Sequence, residues 1–250
     1  MERPDRNSWQ AESLRLTAFP SPLLEVKKYN WWKDLVGEMP ENSHYQPRMN
    51  TYQDEGQIDI GTLILKYAPE RIDWILAPQV QEGIAEDIPI LGTFVDVLPT
   101  FFRFMKSWLN FEIPEISRLA FGAVLPRPLP DRSTGYVQLS TYLPVEIDPQ
   151  NSSDFTYQIN RPRPSRTGIP DLLINRLSKW SVAAFQVFSM SIGTANVGVG
   201  QGARKYHCRL ELDISTDVEF KQGFSKDQLL PVLEELIDLG LEIASKGDTA

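Results

Sequence analysis

Cysteine and histidine are almost absent from this sequence of 250 residues, which has one cysteine, Cys208, and two histidines, His44 and His207. A single cysteine excludes a disulfide bond within the chain and favours a reducing, cytoplasmic setting. The C-x-x-C, H-E-x-x-H and EF-hand patterns that hold many protein metals are also missing. We therefore expect neither a metal site nor a cofactor.

The few residues that could support catalysis do not form a known constellation. His207 adjoins Cys208, but neighbouring residues of a strand point to opposite faces, so the two cannot form a nucleophilic pair. We interpret Cys208 as a core residue and His44 as an exposed loop residue. No catalytic residue is predicted, and an enzyme is the less favoured interpretation. Glu211 and Asp213, which share a strand face, are the candidates for a carboxylate site.

Long apolar runs and an excess of positive charge are missing as well. No segment has eighteen uninterrupted apolar residues, and the charged start, residues 1–6, leads into no apolar core. We therefore expect neither a membrane span nor a signal peptide. The net charge of −8 argues against indiscriminate nucleic-acid binding, which needs a basic field. The composition, 42% hydrophobic and 23% charged, predicts a chain with a full-sized core.

Two long amphipathic helices are predicted. Over residues 93–110, apolar side chains recur at helical spacing and leave a polar stripe on the opposite side. The second helix begins after Ser225 with a capping box, and its apolar face runs over residues 229–243. Pro99 and Pro231 occupy the same position relative to the two helix starts.

Alternation of apolar and polar residues predicts antiparallel strands. The clearest strand covers residues 208–215, and the clearest hairpin joins 62–67 to 71–77 through a turn at Pro69. Further strands are predicted over 23–29, 117–125, 155–160, 180–192 and 206–220, and a short helix over 136–143.

Three segments are expected to be loops. Residues 1–13 and 37–60 are polar and show little apolar patterning. The glycine-rich segment 198–205 superficially resembles a phosphate-binding loop, but such a loop needs a following helix, and the residues after it alternate as a strand. We therefore predict a flexible hairpin loop there.

Together these elements predict an α+β domain over residues 1–250, with a mostly antiparallel sheet and two main packing helices. Each helix follows strands and carries a proline at the same depth. The chain is therefore interpreted as two related strand-strand-helix halves, 14–115 and 116–250, with chance similarity as the alternative.

Charge is unevenly distributed between two stretches. Residues 160–205 contain seven bases and one acid, whereas 210–250 contain ten acids and three lysines. Three interpretations stay open: the two surfaces attract each other within the fold, arginines stiffened by Pro162 and Pro164 bind an anion or a nucleic acid, or the charges dock another subunit. The candidate partner-binding residues are Arg161, Arg163, Arg166, Arg176, Lys179, Glu234, Asp238 and Glu242.

Several short segments resemble a sporadically distributed bacterial family of uncharacterised proteins. They are residues 18–26, 71–74, 116–121, 209–214 and 229–243. The family has no established activity, so the resemblance implies no catalytic residue. It implies a small cytoplasmic prokaryotic protein encoded among accessory or defence genes.

The sequence thus predicts a non-enzymatic protein-binding or accessory subunit of a prokaryotic system. It would act through a charged and aromatic surface on a protein partner or on its own copy. One alternative is a nucleic-acid- or anion-binding protein that uses the Arg/Pro-rich segment 160–180. A second alternative is a hydrolase with a carboxylate site.

Overall fold

The computed structural model describes residues 8–79, 87–192, 197–220 and 222–248, with the backbone alone in 187–192 and 197–201. Its strands are β1 (Gln10–Ala11), β2 (Ser13–Pro20), β3 (Asn42–Gln46), β4 (Thr51–Ile58), β5 (Gly61–Ala68), β6 (Arg71–Ala77), β7 (Gly92–Thr93), β8 (Ile116–Leu129), β9 (Thr156–Asn160), β10 (Arg163–Pro164), β11 (Leu173–Ile192) and β12 (Val197–Thr216). Its helices are α1 (Trp31–Val36), α2 (Phe94–Leu109), α3 (Arg132–Leu139) and α4 (Lys226–Lys246).

Within the described ranges, ten strands form one antiparallel sheet in the order β10-β11-β12-β8-β2-β6-β5-β4-β3, with β9 also paired to β11. β1 and β7 form a separate two-stranded ladder. At the centre of the large sheet β2 pairs with β8, and Leu16 lies opposite Phe121. The helices and this sheet confirm the predicted α+β class, with sheet predominating.

On each side of this central pair, the first strand of that half in the sequence lies at the centre, the last strand lies beside it, and the earlier strands lie progressively further out. On one side β2 is followed by β6, β5 and β4, and on the other β8 is followed by β12, β11 and β9. In the sequence, α2 comes after β6 and α4 comes after β12. Two related halves, 14–115 and 116–250, would produce this correspondence.

The first two helices contact the face of the sheet that carries Trp74 and Phe121. In α2, the Phe101 ring centroid lies 6.5 Å from that of Phe121. In α1, Trp32 stacks on Trp74 with a centroid distance of 6.2 Å. The core on this face takes up every tryptophan of the chain: Trp9, Trp31, Trp32, Trp74, Trp108 and Trp180.

The other two helices contact the same face. A Cβ atom on Gly240 of α4 would lie 3.1 Å from the ring of Phe121 and 3.5 Å from Leu212. The Gly135 carbonyl of α3 lies 3.6 Å from Sγ of Cys208, which is on the same side of β12 as Leu212 because side chains alternate along a strand. The helices therefore cover one face and leave the opposite face of the central strands open.

Three of the predicted elements lie where the patterns place them. The hairpin is formed by β5 and β6. The predicted long helices are α2, after Thr93, and α4, after Ser225. The amide of Ser225 donates to the Gln228 side chain at 3.0 Å, which is the reciprocal bond of a capping box.

The prediction of a loop over 37–60 is wrong, since this segment contains β3 and β4. Neither strand shows apolar alternation: every residue of β3 is exposed, and the buried positions of β4 include Thr51 and Asp54. Asp54 accepts a hydrogen bond from the Ser43 hydroxyl, and burial raises the pKa of its carboxyl. These strands form because they extend the sheet from β5, which their own pattern does not reveal.

The entry of the chain into the sheet also differs from the prediction. Residues 23–29 form no strand, and the chain enters earlier, through β1 and β2. Trp9 is fully buried and its indole N–H donates to the Ala244 carbonyl at 2.9 Å. The expected loop over 1–13 is therefore wrong from Trp9 onward, and residues 1–7 lie outside the described residues. The alternation of Leu14, Leu16 and Ala18 is the pattern that marks β2.

The predicted loop over 198–205 belongs to a strand instead. Gly198 lies opposite Ser191 and Gly200 lies opposite Ser189 in the β11–β12 register. The glycines therefore extend a long two-stranded hairpin. Residues 193–196, between its strands, lie outside the described residues.

β8 continues past Leu125, where the prolines predict an end. Pro126 and Pro128 pair with β12, while β2 leaves β8 at Val124. Beyond that point only β12 pairs with β8 among the described residues, so proline, which has no amide proton, is tolerated there. The short helix also begins earlier than predicted, because the Asp131 side chain caps α3 by accepting from the Thr134 amide at 2.8 Å.

The close approach of α4 to the sheet at Gly240 predicts a steric effect. We expect Gly240→Val to lower the free energy of unfolding by about 1–3 kcal/mol, because the added atoms must displace the buried Phe121 ring. Urea denaturation measures the change. Asp238→Val on the exposed side of α4 is the matched control, and equal losses for both variants would contradict the close-approach explanation.

Candidate functional site

The arginine-rich segment runs along the edge of the sheet beside the C-terminal end of α4. β9 and β10 both pair with β11, and the amide of Arg161 donates to the Arg176 carbonyl at 3.4 Å. Residue 176 pairs with Ile214, a buried residue of the helix-covered face. The segment therefore places several arginines next to α4.

Acids at the end of α4 and just after it pair with these arginines. The Arg161 guanidinium donates to both carboxylate oxygens of Asp248, at 2.6 and 3.0 Å. Arg163 donates to Glu242 at 3.3 Å. Of the three interpretations of the charge asymmetry, attraction within the fold is the one that these contacts display.

Glu235, which the sequence analysis does not single out, makes the most buried of these contacts. Its carboxylate accepts hydrogen bonds from the Ser165 hydroxyl and, at 2.8 Å, from the Arg166 amide. The Arg166 guanidinium lies 3.5 Å away and is mostly exposed. An acid on the buried side of an otherwise apolar helix face is the pattern that could have identified Glu235, because such an acid needs a partner.

Arg176 is the least neutralised of the candidate bases. Burial, and secondly the nearby Arg163 guanidinium, lower the pKa of its side chain. The Nε–H groups of Arg163 and Arg176 are buried and donate to no hydrogen-bond acceptor among the described residues.

The remaining candidate residues lie apart from this cluster. Glu234 and Asp238 are exposed on α4 and form no ion pair within the described part of the chain. Lys179 lies on the opposite face of the sheet, 3.3 Å from Glu211. The structure thus divides the predicted set between two faces.

The face of the sheet that the helices leave open forms a shallow groove of about 500 Å³ across six strands. The register places its residues in two rows. One row runs through Gln158, Lys179, Glu211, Val124 and Ser13. The other runs through Leu177, Asp213, Gly122, Arg15 and Ile75.

Charges in the groove are paired between strands. Besides the Lys179 contact, Glu211 lies 3.2 Å from Arg209, which also contacts Glu12. In the second row, Arg15 lies 3.9 Å from Asp213. The two candidate carboxylates of the hydrolase alternative are thus each close to cations: Glu211 to Lys179 of the adjacent strand and Arg209 of its own strand, and Asp213 to Arg15 two strands away.

Two groove residues, Arg15 and Gly122, are not predicted from the sequence. The strand that holds Arg15, β2, is not predicted, and Gly122 lies in the predicted strand 117–125 without any pattern that marks its role. A Cβ atom on Gly122 would lie 3.2 Å from Nη2 of Arg15, so the missing side chain is what lets the guanidinium cross β8 toward Asp213. Alternation along residues 13–20 would have placed Arg15 opposite the core, but the position of Gly122 beside it depends on the strand order.

His207 and Cys208 point to opposite faces of β12, as predicted. Nε2 of His207 lies 3.1 Å from Asp87, and burial lowers the pKa of the imidazole. Cys208 is buried, and burial raises the pKa of its thiol to about 12. His44 is exposed, but in β3 rather than in a loop.

Comparisons with known proteins give no match to a family model, to a curated protein or to a solved structure. The family resemblance and its implications therefore stay predictions. Among the described residues, no group of three or more His, Cys, Asp and Glu side chains is placed to hold a metal ion. No helix in the described ranges has the length and apolar character needed to cross a membrane.

The contacts of Glu235 predict its contribution to stability. We expect Glu235→Ala to lower the free energy of unfolding by about 1–3 kcal/mol, because it leaves the Arg166 amide and the Ser165 hydroxyl without their acceptor. Urea denaturation is the measurement, with the exposed neighbour variant Glu234→Ala as the control, expected to change stability by less than about 0.5 kcal/mol. An equally small effect at both positions would contradict the role of Glu235.

The burial and raised pKa of Cys208 predict an unreactive thiol. At pH 8 we expect alkylation by iodoacetamide on the order of a thousandfold slower in the folded protein than in the urea-unfolded chain, because very little thiolate forms. Mass spectrometry of timed samples gives both rates. Similar rates in the two states would show that Cys208 is accessible and ionised.

Proposed function

We propose that this chain is a non-enzymatic protein-binding subunit, and that it docks its partner in the groove on the open face of the sheet. The observation that carries the proposal is the groove itself: a concave surface across six strands, placed where the helices bury nothing. An antiparallel sheet can expose a polar face without any function. A depression of about 500 Å³ that is lined by both apolar and charged side chains is more than such a face requires.

The balance of charge in and beside the groove favours a protein over a nucleic acid. Three cations face three acids, and each is engaged across the strands: Arg15, Lys179, Arg209, Glu12, Glu211 and Asp213. Binding to the phosphate backbone needs an excess of cations that can displace counterions. Paired charges of both signs instead favour a partner surface of complementary mixed charge.

The apolar residues that line the groove indicate which side chains such a partner presents. Ile75, Val124 and Leu177 are half-buried and line the groove beside the charged residues of the two rows. A protein segment that presents both apolar and charged side chains matches this mixed lining. We therefore infer that the occupant of the groove is an extended protein segment. The described lining of the groove includes no Phe, Tyr or Trp, so the proposed docking surface is charged rather than aromatic.

The proposed cellular role comes from the resemblance to the bacterial family of uncharacterised proteins. An accessory protein of a prokaryotic, defence-related system, located in the cytoplasm, is the role that the resemblance implies. The equal strand order around β2 and β8 supports the related halves 14–115 and 116–250. On this proposal α2 and α4 are equivalent packing helices.

A second candidate function is binding of a small anion by the segment 160–180. The buried Nε–H groups of Arg163 and Arg176, which lack an acceptor in the described part of the chain, favour it. The contacts of Arg161 and Arg163 with acids weigh against it, because they already neutralise much of the positive charge. This candidate is therefore the lesser one.

The groove proposal is tested by exchanging one of its ion pairs. In the double variant Lys179→Glu, Glu211→Lys the attraction between the two side chains is kept, but the polarity that a partner meets is inverted. Arg209 loses its contact with Glu211 and keeps Glu12 as its acidic partner. The control exchanges an exposed pair outside the groove, Glu25→Lys with Lys27→Glu. Both variants are expected to melt within a few degrees of the wild type.

Each full-length protein is used as bait in a lysate of the organism that encodes it, and the captured protein is then purified and titrated by calorimetry. We expect the groove exchange to weaken binding about tenfold or more, because charge pairs across an interface become repulsive, while the control binds as the wild type does. Equal binding of both variants, or no captured protein at all, would refute the groove proposal. Capture of nuclease-sensitive material instead would favour the nucleic-acid alternative.

A further inference from the structure

The two edges of the large sheet are built differently. At one edge, Pro162 lies between β9 and β10, and Pro164 lies within β10. Arg161 and Arg163, on either side of Pro162, pair with acids at the end of α4 and just after it. Proline and charge at an edge prevent another strand from pairing there. At the other edge β3 contains no proline and no acidic, lysine or arginine residue, and every residue of β3 is exposed.

β3 is nevertheless a well-held strand. All five of its residues pair with β4, and the Ser43 hydroxyl donates to the buried Asp54 carboxylate. One side of its backbone is thereby ordered, and the other side faces away from the sheet. Pro40 and Pro47 flank β3 and limit any pairing to its five residues, none of which is a proline or carries a permanent charge. This short ordered edge is a template for one more strand.

Exposed apolar side chains surround this edge. Met39, Tyr45 and Met49 are 59%, 45% and 68% exposed, and they are three of the eight large apolar side chains exposed in the described part of the chain. Met39 precedes β3 and Met49 follows it, so an apolar side chain lies beyond each end of the strand. Three exposed apolar side chains on and beside one short strand favour an interaction site there.

We propose that β3 pairs antiparallel with β3 of a second copy of this chain, which joins two sheets across a twofold axis. A twofold axis requires that the same strand meet itself, and His44, the middle residue of β3, then lies at the axis. The end that carries Met39 meets the end that carries Met49 of the other copy. Glu41 and Arg48, exposed at the same two ends, bring opposite charges together.

The choice of a second copy rests on this self-complementarity. Both an apolar and an opposite-charge contact are made, and the symmetry makes each of them twice. A five-residue strand with a few flanking side chains gives a small interface, so we expect a reversible dimer that forms at high protein concentration. The groove lies on the central strands, so this edge association is separate from the proposed function.

Sedimentation equilibrium over a wide range of protein concentrations tests the dimer with a pair of matched variants. Met39→Lys with Met49→Lys places like charges together and is expected to weaken dimerisation about tenfold or more, whereas Met39→Lys with Met49→Glu restores attraction and dimerisation. Leu23→Lys, at an exposed apolar residue elsewhere, is the control expected to behave as the wild type. A monomer at every concentration, or a dimer insensitive to the first variant, would overturn the proposal.

A cysteine at the axis tests the geometry. His44→Cys is expected to form a disulfide between two chains rapidly under mild copper-phenanthroline oxidation, while Leu23→Cys does so only slowly. The native thiol does not compete, because Cys208 is buried. Equal cross-linking at both positions would overturn the antiparallel pairing. The result is independent of the groove, since the Lys179 and Glu211 exchange leaves β3 unchanged.

Discussion

One constraint underlies this structure: a wide antiparallel sheet is buried on a single face. Leu16, Trp74, Phe121 and Ile214 stand in one row across the centre of that face, and the helices pack over them. Because side chains alternate along strands, the same register fixes the row on the other face that holds Arg15, Gly122 and Asp213. A slip of one residue would exchange the two rows and expose the core. The groove is therefore a direct consequence of how the core is packed.

The charged stretches follow from the same architecture. The Arg/Pro-rich segment closes one edge of the sheet and lies beside α4, so its arginines meet acids of the same chain. Arg161 with Asp248 and Arg163 with Glu242 connect segments that are distant in sequence. Ion pairs between the basic and the acidic stretch thus link the edge of the sheet to the helix layer. Glu234 and Asp238 are exposed on α4 and take no part in these ion pairs among the described residues.

What the sequence could predict depends on whether a segment carries its own apolar pattern. The hairpin of β5 and β6, the two long helices and the inward side of Cys208 all have such a pattern. β3 and β4 have none, since their polar residues are held by a neighbouring strand, and the prolines of β8 are tolerated only because β2 has already ended. The groove lay further out of reach, because it combines Arg15, Gly122, Lys179 and Asp213 from four strands whose order no local pattern contains.

The central claim is that the partner meets the open face of the sheet and not the helix layer. Site-specific photo-cross-linking in the native cells tests it most directly, with a photoreactive residue at Leu177 in the groove and, for comparison, at Glu234 on the exposed side of α4. The account predicts a covalent adduct with one protein from position 177 and none with that protein from position 234. Adducts from position 234 alone would show that the helix layer is the docking surface and would contradict the account.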